Sequence, residues 1–430
     1  MRILCVGNMY PPHHLGGYEL VWQGAVAHLR SLGHAVRVLT TDLRLPGSER
    51  DRRESEPDVH RELRWYWREH RWPRIGPRGR LGLERHNHAV LGRHLREQRP
   101  DVVAWWAMVG MSLSLVERVR RQGQPAVGFV HDDWMVYGPQ VDAWTRGWSR
   151  AARLAAVPTL LAPVSARMAP VSARLAAVSG RLAAAAEGRT GAPTRPHLGG
   201  AARWLFVSET TRARAIDAVG SLDDGGVAPS GIDPAFLESA PEQPWRWRLL
   251  YVGRIDERKG IATAVQALAC LPPAATLTIV GEGEHRHETE LRALAAALEC
   301  SERVRFAGGA ERAALRDIYA AADATVFPVT WTEPWGLVPL ESMGVGRPVV
   351  ATGRGGSGEY LRDGSNCLLF EAGDAVALAA SVRRLAEDPG LRARLREGGI
   401  ATAPRYTEAR FNEAVARAVA EAAGERARVD

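Results

Sequence analysis

The sequence predicts an α/β protein with two doubly wound parallel sheets, each covered by helices on both faces. Short, nearly continuous apolar runs alternate with segments of helical periodicity along the chain, which is typical of strands buried on both sides. The series of runs occurs twice. A chain of 430 residues is also too long for one ordinary hydrophobic core. We therefore expect two domains.

Five runs in each half of the chain predict strands, because they are rich in β-branched and aromatic residues. The first half contains RILCVGN, AVRVLTT, DVVAWW, PAVGFVHD and WLFVSE, and the second contains WRLLYVGR, ATLTIVGEG, VRFAGG, ATVFPV and PVVATG. Between them, SAPEQPWRW is polar and carries two prolines, which predicts a linker. We place the first domain at residues 1–240, the linker at 241–248, the second domain at 249–405 and a last helix at 406–430.

An alanine-rich stretch at about residues 151–200 interrupts the first domain. From Val164 to Ala184 the sequence VSARMAPVSARLAAVSGRLAA repeats every seven residues, which predicts an amphipathic helical insertion broken at Pro170. We expect a helical hairpin packed on the first domain, and contact with a membrane or a partner stays open. The following EGRTGAPTRPHLGG, residues 187–200, predicts a mobile loop.

The composition argues against a membrane-spanning, a secreted or a zinc-binding protein. No run approaches the roughly 20 uncharged apolar residues of a membrane-spanning helix, and the opening MRILCVGNMYPP lacks the length and cleavage site of a signal peptide. The four cysteines are scattered without a C-x-x-C pair, so we expect neither a disulfide framework nor a zinc site. The expected location is the cytoplasm, with attachment to the inner face of the membrane left open.

Positive charge concentrates between Arg61 and Arg99. This segment has eleven arginines against four glutamates, an excess equal to the net charge of +7 of the whole chain, and it also holds Trp65, Tyr66, Trp67 and Trp72. Basic charge interleaved with aromatics is suited to nucleic acid, an anionic membrane or an anionic acceptor. We expect a solvated arginine face with tryptophans packed beneath it and no nucleic acid partner. Contact with an anionic membrane or acceptor stays open.

Familiar cofactor and metal motifs do not occur in the sequence. The first turn, GNMYPPHHLGG, lacks the G-x-G-x-x-G spacing of a dinucleotide fold, and GRIDERKG is not a P-loop. There is no H-E-x-x-H, no G-x-S-x-G and no D-x-D to hold a divalent ion against a diphosphate. The sequence therefore predicts neither a metal nor a resident cofactor.

Two cations are placed to bind a diphosphate. Arg254 and Lys259, which is the only lysine of the chain, follow the predicted strand WRLLYVGR. That position is the sheet edge at which α/β folds bind ligands. A planar guanidinium and a compact ammonium are not interchangeable around a phosphate pair. Taken alone, both residues are more simply ordinary loop charges.

Two carboxylates flank a predicted helix start in TEPWGLVPLE. Because Glu333 precedes a proline, the helix is expected to begin near Gly336 and to carry Glu341 in its second turn. Glu333 then lies beside the first amides of the helix, which form an anion site. The amides belong to Gly336, Leu337 and Val338. Taken alone, Glu333 is explained by the helix dipole and Glu341 by exposure on a helix.

Together these motifs resemble the retaining, nucleotide-sugar-dependent glycosyltransferases of the GT-B class known as family 4. The resemblance covers nearly the whole chain and depends on an ordered set of motifs. The set comprises GG-x-E from Gly16 to Glu19, VHDD from Val130 to Asp133, FVSE from Phe206 to Glu209, SGID from Ser230 to Asp233, VGRIDERKG, GEGE from Gly281 to Glu284, the E-x7-E pair Glu333 and Glu341, GRGGSGE from Gly353 to Glu359 and DGSNCLLF from Asp363 to Phe370.

The resemblance implies two facing Rossmann-like domains with a cleft between them and a last helix that crosses back to the first domain. It implies that the first domain binds the acceptor and the second a nucleotide-diphosphate sugar, with UDP or GDP expected as the nucleotide. The resemblance implies that Arg254 and Lys259 bind the diphosphate, that Glu341 binds the ribose and that Glu333 binds a hydroxyl of the sugar. It also implies that His131 contacts the sugar near the acceptor. The backbone is implied to approach the donor closely at Gly16, Gly17, Gly281, Gly283, Gly336, Leu337 and Val338.

The implied reaction is a metal-independent, retaining transfer to an acceptor hydroxyl. The sequence offers no assignable nucleophile for a double displacement, so we expect front-face attack in which the leaving phosphate helps to take the acceptor proton. The acceptor is expected to be a small secondary metabolite or a cell-envelope or lipid-linked glycan. Two departures from the family pattern, Cys367 for glycine and Trp335 for phenylalanine, are expected to reshape the floor of the donor pocket.

Two other functions stay open. A nucleotide-sugar epimerase of the same fold would turn over its donor without an acceptor. A non-catalytic scaffold would bind membrane or nucleic acid through the segment from Arg61 to Arg99, with steep salt dependence. The intact set of Arg254, Lys259, Glu333 and Glu341 argues against the scaffold.

Overall fold

A computed structural model describes residues 1–14, 16–45, 56, 58–67, 72–73, 75–148 and 169–426. The chain divides into two compact units. One comprises Met1–Phe206, Thr211–Ala228 and Asn412–Asp430, and the other comprises Val207–Thr210 and Pro229–Phe411. The domain limits given above, at residues 240, 249 and 405, stay predictions.

The first unit contains a seven-stranded sheet in which every neighbouring pair is parallel. The strand order is β3-β2-β1-β4-β5-β6-β7. The strands are β1 Arg2–Val6, β2 Ala35–Thr41, β3 Val59–Leu63, β4 Val102–Trp105, β5 Ala126–Val130, β6 Arg203–Phe206 and β7 Asp224–Val227. All residues of β4 and β5 are buried, which explains their continuous apolar runs.

Helices follow the strands of this unit in alternation. They are α1 Gly17–Ser31, α2 Pro77–Gln98, α3 Ser114–Arg121, α4 Trp134–Val141, α5 Ala169–Thr190 and α6 Glu209–Val219. Helix α2 begins with proline at its first position, which is a common helix start. The residue after its end, Arg99, has a left-handed φ of 47°, a conformation that usually terminates a helix with glycine.

The second unit repeats the architecture with six parallel strands in the order β10-β9-β8-β11-β12-β13. The strands are β8 Arg248–Val252, β9 Thr276–Val280, β10 Val304–Phe306, β11 Ala324–Phe327, β12 Val349–Ala351 and β13 Leu368–Leu369. The helices are α7 Ile261–Ala269, α8 His285–Ala297, α9 Arg312–Ala321, α10 Leu337–Gly344, α11 Ala375–Glu387 and α12 Pro389–Thr402. Helix α13, Glu408–Arg426, follows them, and its residues from Asn412 onward belong to the first unit.

All ten predicted strands are confirmed, and the structure adds β3, β7 and β13. These three lie at sheet edges, where a strand has one neighbour and needs no continuous apolar run. Strand β3 has the sequence VHREL and is mostly half-buried, and β7 has the sequence DGGV. Their compositions contain little strand signal.

The aromatic residues of the arginine-rich segment are largely packed against the first unit. Trp65 is buried and its Nε1 donates to the carbonyl of Val109 at 2.6 Å, and the ring of Trp67 lies 4.7 Å from that of Trp65. Trp72 remains 39% exposed. The predicted burial of tryptophans is therefore confirmed for Trp65, whereas a solvated arginine face above it stays a prediction. Residues 68–71 and 74 lie outside the described residues.

The predicted insertion is helical where the structure describes it. Helix α5 starts at Ala169 with Pro170 in its first turn, and residues 149–168 lie outside the described residues. The predicted mobile loop at 187–200 is wrong in its first four residues, which belong to α5. The rest is anchored, because Trp144 Nε1 donates to the carbonyl of Pro193 at 2.9 Å and Glu187 accepts from the amide of Thr194 at 2.7 Å.

Two further expectations concern cysteines and membrane spans. All four cysteines are free thiols, and Cys5, Cys300 and Cys367 are buried. Among the described helices, none combines the length and the apolar character needed to cross a bilayer.

A buried carboxyl group ties α2 to the segment that follows β3 and to the first residue of α3. Glu84 accepts hydrogen bonds from Tyr66 Oη at 2.6 Å and from Ser114 Oγ at 2.7 Å, and it is inaccessible to solvent. Burial, with a smaller effect from Asp142, raises the pKa of Glu84 from 4.5 to about 8. The unfolded chain therefore releases this proton at lower pH than the folded chain does. The Glu84 contribution to stability falls as the pH rises from about 4.5 to about 8.

We predict that Glu84→Gln reduces the loss of unfolding free energy between pH 5 and pH 8. The difference from the wild type should be on the order of a few kcal/mol, since one pKa unit corresponds to about 1.4 kcal/mol. Urea unfolding followed by circular dichroism at both pH values measures it. Glu97→Gln, which changes an exposed glutamate of the same helix, is the control. Equal pH dependence in wild type and Glu84→Gln would show that Glu84 is ionised in the folded chain.

Candidate functional site

The strand order of the second unit reverses between β8 and β11, which pair side by side. Parallel α/β sheets bind ligands beyond the carboxyl ends of their strands at such a reversal. Arg254 and Lys259 follow β8, and Glu333 precedes α10 in the connection that follows β11. The topology thus brings the two predicted motifs, some 70 residues apart in the sequence, to one edge of one sheet.

The loop that carries Lys259 is shaped by a glycine. Residues Glu257–Lys259 form a short 3-10 helix, which Asp256 caps by accepting from the amide of Arg258 at 3.0 Å. Gly260 then adopts a φ of +69°, and a Cβ there would lie 1.9 Å from the carbonyl oxygen of Pro328. Only glycine fits this turn into α7, so the position from which the Lys259 side chain emerges is fixed by the backbone.

Lys259 forms an ion pair with Glu333. Its Nζ donates to Glu333 Oε2 at 2.7 Å, and Trp331 Nε1 donates to the same oxygen at 2.8 Å. The two charged side chains are only 15% and 12% exposed. The ammonium also lies 5.7 Å from the centroid of the Trp331 ring, within the range of a cation–π contact. A compact ammonium fits this position, whereas a guanidinium would need room for a planar fork.

Trp331 is the functional residue that the sequence analysis missed. Its ring lies 4.6 Å below the guanidinium of Arg258, which forms a two-pronged salt bridge with Asp256 at 3.0 and 2.7 Å. The amide of Thr330 donates to the carbonyl of Arg258 at 3.0 Å. The loops after β8 and β11 are therefore tied together around the indole. The sequence contained one signal for this role, which is an aromatic residue two positions before Glu333.

Helix α10 begins where the sequence predicts, and Glu341 lies in its second turn. Gly336 precedes it with a φ of +100°, and Tyr360 Oη donates to the Gly336 carbonyl at 2.5 Å. Glu341 accepts from Tyr319 Oη at 2.7 Å, and burial raises the pKa of Glu341. The helix start and the position of Glu341 are thus confirmed.

The carboxylate of Glu333 is directed to Lys259 and Trp331, whereas the sequence placed it beside the first amides of α10. Helix N-termini leave their first amides without partners in the helix. The amides of Gly336, Leu337 and Val338 occupy that position. The N-terminus of α10 therefore provides amide donors for an anion, in addition to the ammonium of the ion pair.

Arg254 extends from the same edge. Its backbone carbonyl accepts from Tyr251 Oη at 2.8 Å, while its side chain is exposed and forms no salt bridge within the described part of the chain. A Cβ on Gly281 would lie 1.9 Å from the Gly253 carbonyl oxygen, and one on Gly283 would lie 2.0 Å from that of Ile255. Packing of adjacent loops explains these two glycines, so their contact with a nucleotide stays a prediction.

The first unit carries the remaining predicted site residues at the carboxyl ends of β1 and β5. His131 directly follows β5, its ring lies 4.6 Å from that of Tyr18, and burial lowers the pKa of His131 to about 3. The imidazole is therefore neutral at physiological pH. Gly16 caps α1 and its amide donates to Glu19 Oε2 at 3.1 Å. A Cβ on Gly17 would meet nothing within 4 Å, so internal packing does not explain this glycine.

Comparison with known proteins agrees with this geometry. Residues 237–402 match the model of the family described as glycosyl transferases group 1. We call residues 237–402 the group 1 region. The match includes every second-unit residue considered above, from Arg254 through Glu341.

Curated relatives of this group 1 region are glycosyltransferases. The chain is 39% identical over 168 residues to the lipopolysaccharide core biosynthesis glycosyltransferase LpsE of Rhizobium meliloti, covering 39% of this chain and 47% of the relative. It is 36% identical over 247 residues to the D-inositol 3-phosphate glycosyltransferase of Acidothermus cellulolyticus, covering 51% of this chain and 55% of the relative. The chain thus spans about half the length of the curated relatives that it matches.

Solved structures show the fold of the whole chain. The Anabaena protein Alr3699/HepE, crystallised with UDP, superposes with a TM-score of 0.65 at 20% identity, over 98% of this chain and 100% of that one. Sucrose-phosphate synthase from Thermosynechococcus elongatus superposes with a TM-score of 0.68 at 19% identity, over 97% of each chain. The fold is the GT-B fold, with two Rossmann-like parallel-sheet units.

The two departures from the family pattern lie in the hydrophobic core of the group 1 region. Trp335 is buried, its ring lies 5.1 Å from that of Tyr360 and 5.2 Å from that of Tyr406, and its Nε1 donates to the Ser230 carbonyl. Cys367 has no exposed surface. Each side chain is enclosed by the protein itself, and the expectation that they reshape the floor of a donor pocket stays a prediction.

One group of side chains in the described chain has the composition of a metal site. The ligand atoms of His60, Glu62 and His94 lie within 4.8 Å of one another. Arg37 Nη1, a donor, lies 3.4 Å from His94 Nδ1, which favours a proton on Nε2, where it bonds to Glu62 at 3.3 Å. Arg93 also forms a salt bridge with Glu62. A metal would need the opposite tautomer, so we assign a hydrogen-bond network.

We predict that Lys259 and Glu333 are energetically coupled. Lys259→Met leaves a nearly buried carboxylate with one hydrogen-bond donor, and Glu333→Gln leaves a nearly buried ammonium. The two single losses of unfolding free energy should therefore add up to more than the loss in the double variant. A double-mutant cycle by urea unfolding should give a coupling of about 1–3 kcal/mol.

The control for this cycle is the exposed pair Arg286 and Glu290, four residues apart on α8. This pair should show no measurable coupling. Additive effects of Lys259→Met and Glu333→Gln would contradict the ion pair.

Proposed function

We propose that the chain is a retaining glycosyltransferase that moves a sugar from a nucleotide-diphosphate donor to an acceptor hydroxyl. The observation that carries the proposal is the Lys259 ammonium, held by Glu333 and Trp331 at the strand-order reversal of the second unit. Anions bind at such edges through cations and helix amides. The family match of residues 237–402 and the names of the curated relatives support it.

The second unit supplies positive charge for the leaving group. When the anomeric C–O bond breaks, negative charge grows on the diphosphate. We propose that Arg254, Lys259 and the first amides of α10 donate to that charge. Lys259 and the amides are held in place without a ligand, which is the arrangement that favours a transition state. Removing one such donor typically costs about 3 kcal/mol, or roughly 100-fold in rate. Because these donors already supply the charge, we propose that the reaction needs no metal ion.

Lys259 serves two partners in the proposed complex. An ammonium has three N–H donors, so it can keep its bond to Glu333 and also bind a phosphate oxygen. The second oxygen of Glu333 then accepts from a hydroxyl of the transferred sugar. Glu341, oriented by Tyr319, accepts from the ribose hydroxyls. The loops around Gly281 and Gly283 receive the base.

Retention follows from attack on the face that the diphosphate leaves. The bond between the anomeric carbon and the phosphate oxygen breaks, the bond to the acceptor oxygen forms on the same face, and the acceptor proton passes to the departing phosphate oxygen. His131 is neutral because burial lowers its pKa to about 3. We therefore propose that it is a hydrogen-bonding partner of the sugar and that it does not supply the proton.

The nucleotide and the acceptor are proposed from chemistry and from the relatives. One structural neighbour, Alr3699/HepE, was crystallised with UDP and with UDP-glucose, so UDP is the first nucleotide to test and GDP the second. The relatives' names include enzymes of lipopolysaccharide core and of inositol 3-phosphate glycosylation. A small phosphorylated or lipid-linked hydroxyl acceptor and a secondary metabolite are therefore the classes to screen.

We predict that one nucleotide sugar among UDP-, GDP-, ADP- and dTDP-sugars raises the melting temperature of the wild type. Ligand at 100 times its Kd adds about 2.7 kcal/mol of stability. Lys259→Ala and Glu341→Ala should lose this shift, since each removes a group that touches the donor. Arg286→Ala, an exposed change on α8 of the same unit, is the control. A shift that persists in both site variants would place the nucleotide elsewhere.

Turnover with the identified donor separates the alternatives. Transfer that retains the anomeric configuration, followed by NMR of the product and unaffected by EDTA, is the expected result. Donor isomerised without any acceptor would identify an epimerase. Binding to anionic lipid or RNA with steep salt dependence and no donor binding would identify a non-catalytic scaffold.

A further inference from the structure

The first unit contains an arginine-lined pocket formed by α2, α3 and the end of α5. Its volume is about 630 Å³, within the range of small-molecule sites. Four of its lining residues are arginines, whereas Glu187 is the only carboxylate that lines it in the described part of the chain. The arginines are Arg85, Arg96, Arg118 and Arg121. Two of them belong to the basic segment that the proposed function does not use.

Helix α2 presents one face to this pocket. Arg85, Ala89, Gly92 and Arg96 follow one another at spacings of four, three and four residues, which places them on one side of a helix. The two small residues form a shallow floor between two arginines about 16 Å apart along the axis. Arg118 lies across this floor, because a Cβ on Gly92 would be 2.6 Å from its Nη2.

Two of the four guanidinium groups are committed to the protein. Arg121 donates to Glu117 at 2.8 Å and to Glu187 at 3.0 Å, and Arg118 donates to the carbonyl of His88. Arg85 and Arg96 are exposed, and neither forms a hydrogen bond or salt bridge with any residue that the structure describes. The pocket therefore has more positive charge than its own carboxylates balance.

Helix dipoles account for part of this charge. Helices α2, α3 and α5 end at Gln98, Arg121 and Thr190, and each C-terminus has roughly half a negative charge. Arg96, Arg118 and Arg121 lie close to such ends. Arg85 does not, because it lies in the third turn of α2, with no acidic residue three or four positions away. Its charge faces the pocket without a balancing group among the described residues.

We propose that this pocket is a second anion site that binds a small molecule carrying two linked phosphate groups. Guanidinium forks match phosphate oxygens, and several of them favour a multiply charged group. The pocket is distinct from the proposed donor residues, which belong to the second unit. It is also remote from His131, since α3 leads into the start of β5 whereas His131 follows its end, about 16 Å farther along the strand. The arginines reach the pocket from two helices, α2 and α3, and the end of α5 lines its other side, so we argue for a discrete ligand that several side chains surround.

Isothermal titration with inorganic pyrophosphate tests the inference on the full chain. Because the proposed donor site also binds a diphosphate, the wild type should bind two equivalents. Lys259→Ala should lose one of them. The double variant Arg85→Gln and Arg96→Gln keeps the long side chains and should weaken the other at least tenfold. The matched control is Arg394→Gln with Arg417→Gln, which removes the same charge from exposed helix positions.

Each outcome decides one site independently of the other. A single equivalent that survives Lys259→Ala and is lost in Arg85→Gln/Arg96→Gln supports the pocket and contradicts the donor site. Pyrophosphate binding unchanged by Arg85→Gln/Arg96→Gln overturns the pocket. An equal loss in the control variant also overturns it, because the effect would then be one of net charge. If phosphatidylglycerol vesicles bind through Arg85 and Arg96 and pyrophosphate does not, the proposal of a small ligand is overturned and the arginines bind a membrane.

Discussion

The second unit depends on one nearly buried ion pair, Lys259 with Glu333. Taking two charges out of water costs several kcal/mol per ion unless each has a close partner, and the two side chains lie 2.7 Å apart at low exposure. Bringing the two charges together constrains the strands and loops around them. Strands β8 and β11 must be neighbours, Gly260 must turn the chain where a Cβ would clash with Pro328, and Trp331 must supply the second donor to the carboxylate.

The same constraint explains why the chain keeps a single lysine. An ammonium can bond to a carboxylate, lie near an indole face and still have a donor for a further anion. The ammonium is held in place without a ligand, so in the proposed complex the diphosphate would meet a donor that needs no reorganisation. Arg254, exposed at the same edge, and the first amides of α10 add charge from other directions. In the first unit, burial lowers the pKa of His131 to about 3, so its ring is neutral at physiological pH.

Local patterns predicted the buried parts of the fold, and tertiary contacts decided the rest. Central strands such as β4 are apolar throughout and were found, whereas the edge strand VHREL has no such signal. Glu341 was placed by helix rules, because Pro334 and Gly336 determine where α10 starts. Trp331 was missed, since its role appears only when two separate loops meet. The burial of Trp335 and Cys367 was not predicted, because a family pattern shows which residue changes but does not show which side chains the core encloses.

The central claim is that Glu333 and a diphosphate share the Lys259 ammonium, and binding to Glu333→Gln tests it most directly. Isothermal titration compares the nucleoside diphosphate with its sugar conjugate in wild type and variant. Without the carboxylate charge beside Lys259, the diphosphate alone should bind more tightly, whereas the nucleotide sugar should gain less or bind more weakly because a bond to its hydroxyl is lost. Weaker or unchanged binding of the nucleoside diphosphate would contradict the account.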